Sequence, residues 1–170
     1  MASLMENLLN VLEKENSEYE HLIELSTRKR QVIIDANIPG LEEITSMEQD
    51  VTSNIKNLEN KRIEVINDMA IVLSKDANEL TLTNMIAFLN KQPNEQVKLI
   101  DIRDRLKDTM QRMAEINKQN EILLHHALEM VEFDLTLFKS MRQAPTTANY
   151  NKKAYNTGDI LGGGGFDAHQ

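Results

Sequence analysis

A few short stretches hold residue types that could do chemistry, and each also has a plain structural reading. Glu18-Tyr-Glu-His21 has the Glu-x-x-His spacing of di-iron bundles, which need that motif on two helices plus further inward carboxylates. No second copy is present. With Tyr19 and Leu22 facing inward on a helix, Glu18 falls at the edge and His21 points away, so a solvated face is expected. His125 and His126 diverge by about 100° on a helix and cannot grip one metal as neighbours. The Gly162–Gly165 run lacks the Lys and Ser/Thr of a phosphate loop, and no strand precedes it, so it reads as linker. Arg28-Lys-Arg30 is the dense basic cluster, and cations suit the end of a helix. No Ser, Cys or Thr nucleophile can be paired with a base from sequence alone. The expectation is a protein with no catalytic residue, no metal and no cofactor.

Asn117 and Asn120 are different. Both fall on the apolar seam of a long helix, where an amide costs stability unless it finds a partner. They either fix register inside a bundle or meet a partner's polar groups.

Composition narrows the class. The chain has 170 residues, enough for one domain with a real core. Lys and Arg total 19 against 27 Asp and Glu, a net charge of -8, which argues against nucleic acid or an anionic membrane as partner. No Cys is present, which excludes disulfides and suits a reducing cytoplasm. The start lacks a basic region and a long apolar core, so no secretory signal is expected, and no apolar run is long enough to span a membrane. Aromatics make up 4% of the chain and Met numbers 9, the palette of a helical bundle rather than a β-sandwich.

The elements follow from periodicity. A first helix, from about Leu4 to Ile34, opens at a Ser3–Glu6 capping box and carries Met5, Leu8, Leu12, Tyr19, Leu22, Ser26 and Ile33, with Glu15 and Lys29 as polar misses. Pro39-Gly40 breaks it. A second helix, from about Gly40 to Leu73, carries Leu41, Ile44, Glu48, Val51, Ile55, Leu58, Arg62, Val65, Met69 and Val72, of which only Glu48 and Arg62 are charged. The short loop between them favours an antiparallel hairpin. Thr83 is expected to cap a short helix from Asn84 to Leu89, and Asn94 to cap a long third helix to Arg142. Its seam reads Leu99, Leu106, Met110, Met113, Asn117, Asn120, Leu124, Ala127, Val131, Asp134, Phe138 and Met141, with a second row at Ile102, Ile116, Leu123, Met130 and Leu137. The fold class is all-α: three long antiparallel helices in a coiled-coil-like bundle over residues 1–142, a short extra helix before the third, and a flexible tail over residues 143–170.

Met113-x-x-Ile116-Asn117-x-x-Asn120-x-x-Leu123-Leu124, after Leu99-x-x-Ile102-Arg103-x-x-Leu106, resembles the long helix of FlgN-type flagellar export chaperones. Glu48-Gln49, Leu58-Glu59-x-x-Arg62 and the tail's Asn149-Tyr150-Asn-Lys-Lys153 are similar to family features, and the likeness covers residues 4 to 156. It implies a cytoplasmic chaperone that binds terminal helical segments of hook-filament junction (hook-associated) proteins, prevents premature assembly and delivers them to the export gate of the flagellar type III secretion apparatus. It also makes Tyr150 or Tyr155 the residue that docks on that gate. The competing reading is a coiled-coil scaffold whose heptads make an oligomer.

Helix lengths suggest where a client would lie. At 1.5 Å per residue the first two helices reach roughly 46 and 51 Å and the third roughly 72 Å. About fourteen residues of the third would then be uncovered. The short helix can cover its N-terminal end, which leaves Met130, Val131, Phe133, Leu137, Phe138 and Met141 without an obvious partner. With Leu123 and Leu124, the residues Met130, Val131, Leu137, Phe138 and Met141 form the expected client site. A homodimer seam, or a shift of the helix that buries the strip, is the competing reading.

Overall fold

The computed structural model describes residues 2–143. The tail, with Tyr150, Tyr155 and the glycine run, lies outside them. Four α-helices follow in order: α1 (Ala2–Ile34), α2 (Ile38–Leu73), α3 (Leu82–Phe88) and α4 (Pro93–Gln143), with a single 3-10 turn, Ala77–Glu79, between α2 and α3. The chain divides into one unit of residues 1–125 and another of residues 126–170, and α4 runs across the division.

Local chemistry sets the helix boundaries. Ser3 lies inside α1 rather than at its cap. The α1 end is a Schellman-type turn: Asn37 N–H donates to the Val32 carbonyl and Ala36 N–H to that of Ile33, with Ala36 left-handed at φ 52. Asn37 then caps α2 by accepting from Gly40 N–H at 3.0 Å, with Pro39 in the first turn. A Cβ on Gly40 would come within 2.7 Å of that Asn37 amide, so only glycine leaves the cap undisturbed. At the other end of α2, Ser74 is left-handed at φ 53, and Lys75 N–H reaches back to the Ala70 carbonyl.

Two caps differ from expectation. Thr81, not Thr83, caps α3 by accepting from Asn84 N–H at 3.2 Å, and the helix starts at Leu82. Pro93 is not a spacer before an Asn94 cap but the first residue of α4, a place where its missing N–H costs nothing.

Within residues 1–125 the long helices alternate in direction. Glu15 meets Arg62 and Lys29 meets Glu48, so α1 and α2 are antiparallel. Asn16 meets Thr109 and Ser26 meets Asn120, so α4 runs parallel to α1. The main core gathers Met5, Leu8, Leu12, Val65, Met69, Leu80, Met85, Leu99, Ile102 and Leu106, so α3 covers the N-terminal end of α4 as expected. A smaller core of Leu25, Val51 and Ile55 lies further along the hairpin, with Tyr19, Leu22 and Met47 packed on it.

The polar misses of the two stripes turn out to be partners. Arg62 Nη1 donates to Glu15 Oε2 at 2.8 Å, and Lys29 Nζ donates to Glu48 Oε2 at 2.9 Å. Each layer is extended to α4. Beside Glu15, the Thr109 hydroxyl donates to Asn16 Oδ1 at 2.8 Å. In the other layer Ser26 gives its hydroxyl to Glu48 at 2.9 Å, and its carbonyl accepts from Asn120 Nδ2 at 2.8 Å.

The α4 seam is shifted from the expected one. Its buried row is Leu99, Ile102, Leu106, Thr109, Met113 and Asn120, with Ile116 half-buried, while Met110 and Asn117 are exposed. Thr109 takes the place given to Met110, its hydroxyl meeting both Asn16 Oδ1 and the Arg105 carbonyl at 2.8 Å. Past Met113, which both seams share, Ile116 likewise takes the place given to Asn117, and Asn120 is the amide left in the seam. Val72 is likewise exposed, its place near the main core being taken by Ala70 and Leu73.

Two stability predictions follow from this geometry. Ala36→Gly and Ser74→Gly should each stabilise the protein by about 0.5–1 kcal/mol, since the left-handed conformation penalises a Cβ by more than glycine's added chain entropy. Thermal unfolding would show a higher midpoint for both; a lower one would mean these turns are not left-handed. The second concerns Glu15, whose side chain is 1% exposed. Burial pushes its carboxyl above the usual range, opposed by Arg62 and aided by Glu59. A raised folded-state pKa favours the fold below the ordinary carboxylate range, and that contribution is lost as pH rises through the raised value. Urea unfolding from about pH 4 to about pH 8 should therefore show the native protein losing stability relative to Glu15→Gln with rising pH. A difference that grows in the native protein's favour would contradict the burial of this group.

Candidate functional site

Among the described residues, none of the clusters with chemical potential converges on a reaction centre. His21 is exposed, and Glu18 is half-buried with its Oε2 unpartnered. Among the described residues no group of three His, Asp or Glu side chains is placed to hold a metal ion. His126 sits 3.5 Å from Glu129 one turn on, a surface pair. The buried carboxylate of Glu15 belongs to a helix junction, with Arg62 as partner. What the structure offers is apolar surface.

That surface is the described part of the second unit, the last turns of α4 from His126. Here Leu128, Met130, Val131, Phe133, Leu135, Leu137, Phe138 and Met141 are all half exposed or more, with Met130 at 68% and Phe133 at 67%. Such density on one helix is not the scatter of single apolar residues that ordinary surfaces carry. Spacings of three and four put Met130, Val131, Leu137, Phe138 and Met141 on one face, and Leu128 and Leu135 extend it on one side. Glu129, Glu132, Thr136, Lys139 and Ser140 occupy the opposite side. Asp134 is the one charge within the apolar face, and Phe133 the one ring on the polar side.

The helix is held locally. The Thr136 hydroxyl donates to the Glu132 carbonyl at 2.9 Å, and the Arg142 guanidinium lies 5.5 Å above the Phe138 ring. Exposed pairs of this kind contribute roughly 0–1 kcal/mol each. Burying a single Leu, Phe or Met of the strip under a partner is worth about 1.5–3 kcal/mol, so binding energy here would come from the apolar face.

Of the expected client residues, Met130, Val131, Leu137, Phe138 and Met141 share this exposed face. Leu123 and Leu124 do not stand with them: both are half-buried in the first unit. Leu128 and Leu135 lie beside the stripe through Val131 and Phe138, and their own seven-residue spacing is the signal that marks them. Asn120 is buried, bonded through its Nδ2 and with its Oδ1 unpartnered, whereas Asn117 is exposed. Tyr150 and Tyr155 lie outside the described residues.

No helix among the described residues is long and apolar enough to cross a membrane. Over residues 1–158 the sequence matches the family described as FlgN protein. Neither a curated protein nor a solved structure matches it significantly.

Proposed function

The chain belongs to the FlgN family of flagellar export chaperones, and from that premise we propose that it carries hook-associated proteins to the secretion apparatus. In this reading it binds their terminal helical segments in the cytoplasm, keeps them from assembling early, and hands them to the export gate. It does so by masking and release, without a catalytic site or a cofactor.

The observation that supports this reading is the exposed apolar face from Leu128 to Met141. A junction-protein terminus is an amphipathic helix without its assembly partners, and a second amphipathic helix is a fitting cover for it. Three Met residues of α4, at positions 110, 130 and 141, are exposed, and Met adapts to more than one apolar surface. Tyr150 and Tyr155 in the tail are the residues assigned to the gate, by family resemblance.

Leu137→Glu or Phe138→Glu should weaken client binding by at least about tenfold, because a charge replaces buried apolar area at the centre of the face. Helicity and the thermal midpoint should not change, since both positions are exposed. Titration of the purified chain with a junction protein, alongside circular dichroism, checks both. Normal binding by both variants would place the client elsewhere. Light scattering of the free chain separates the scaffold reading, which requires a stable oligomer at micromolar concentration. Deleting residues 144–170 should leave the midpoint within about 2 °C while reducing client secretion. A large fall in the midpoint would show that the tail supports the fold instead of serving the gate.

A further inference from the structure

Hydrogen bonds and ion pairs join α1 to α2 and α1 to α4 in the first unit. An open groove lies along α4 where Arg62 of α2 and Leu82 of α3 come beside it. Its apolar lining is Leu106, Leu82 and Met110, the last 48% exposed, and its cationic lining is Arg62 from α2 and Arg103 and Lys107 from α4. No acidic side chain lines it, in a chain whose net charge is -8.

The state of the three cations matters. Arg62 is held by Glu15 beneath it through Nη1. Arg103 bonds its neighbour Asp104. Lys107 has no partner among the described residues. The groove therefore presents one unneutralised ammonium and two guanidinium groups beside apolar carbon. From Arg103 to Ala114 the α4 wall is about 16 Å long, or three helical turns.

We propose that this groove is a second docking surface, taking an amphipathic helix of a partner protein whose Leu or Met ridge is flanked by Asp or Glu. The ridge covers Leu82, Leu106 and Met110 as a fourth helix would. The flanking carboxylates pair with Lys107, Arg103 and Arg62, which sets orientation and rejects basic helices. The surface is separate from the apolar strip of α4 and does not depend on the client proposed for it.

The test uses the full chain and a fluorescently labelled synthetic helix with a Leu–Met ridge flanked by Glu. Its twin with Lys in place of each Glu serves as control. Anisotropy should show the Glu helix binding, its affinity falling with added salt, and the Lys twin binding at least about tenfold more weakly. Lys107→Glu and Met110→Glu, both at exposed positions, should each weaken the Glu helix by about fivefold or more while melting as the native chain does. The same losses should appear when each change is made in a Leu137→Glu background, which separates this groove from the α4 strip. The proposal fails if the Glu helix does not bind, if the twin binds equally, or if neither groove variant matters. It fails equally if a single-stranded oligonucleotide displaces the helix at matching concentration, since the cations would then serve a phosphate backbone.

Discussion

Glu15 lies buried against Arg62, and an ion pair of opposite sense, Lys29 with Glu48, lies two heptads away on both helices. Apolar heptads alone would let α1 and α2 slide past one another, because one Leu or Ile layer resembles the next. The charges remove that freedom. A slip of one heptad sets Glu15 against Ile55 or Met69, stranding a carboxylate in apolar surroundings. A slip of two sets Glu15 against Glu48, or Lys29 against Arg62. A buried pair of this kind adds little net stability, since desolvation offsets most of the attraction, but breaking it leaves a costly lone charge. Register is what these residues contribute.

The same layers carry the order on to α4. Asn16 next to Glu15 bonds Thr109, and Ser26 next to the second pair accepts from Asn120. Each layer thus spans three helices. Direction and register of α4 follow from them, with Arg105 adding bonds to Glu13 at the surface. Buried polar atoms remain unmatched in this arrangement, among them Glu15 Oε1 and Asn120 Oδ1. That is consistent with residues retained for specificity at a cost in stability. A chaperone of the FlgN family gains from such a division of labour. The first unit is organised by its own contacts, which leaves the last turns of α4 free to keep an apolar face exposed.

Much of this was legible from the residues, because the heptads of α1 and α2 are long and nearly unbroken. Glu15, Lys29, Glu48 and Arg62 stood out as interruptions. Periodicity could not say that they pair, since it reports faces and not register. On α4 the apolar spacing points to Met110, whereas the structure buries Thr109, whose hydroxyl meets the Arg105 carbonyl of its own helix and Asn16 across the junction. Boundaries failed where two chemically similar residues compete, as with Thr81 and Thr83, or where Pro93 could either end a loop or start a helix. For the α4 face, the apolar spacing named Met130, Val131, Leu137, Phe138 and Met141 directly. It could not separate them from Leu123 and Leu124, whose half-burial depends on tertiary packing.

Hydrogen exchange of the full chain, free and with a synthetic terminal helix of a junction protein, reads whether the last turns of α4 take the client. Exchange reads local opening and cover segment by segment, so it needs no mutation and no assumption about the site. Amides from Leu128 to Gln143 should exchange fast in the free chain and become protected on binding, while α1 and α2 around Glu15, Ser26, Glu48 and Arg62 keep their protection unchanged. New protection confined to other helices, with the end of α4 still exchanging freely, would contradict that placement of the client.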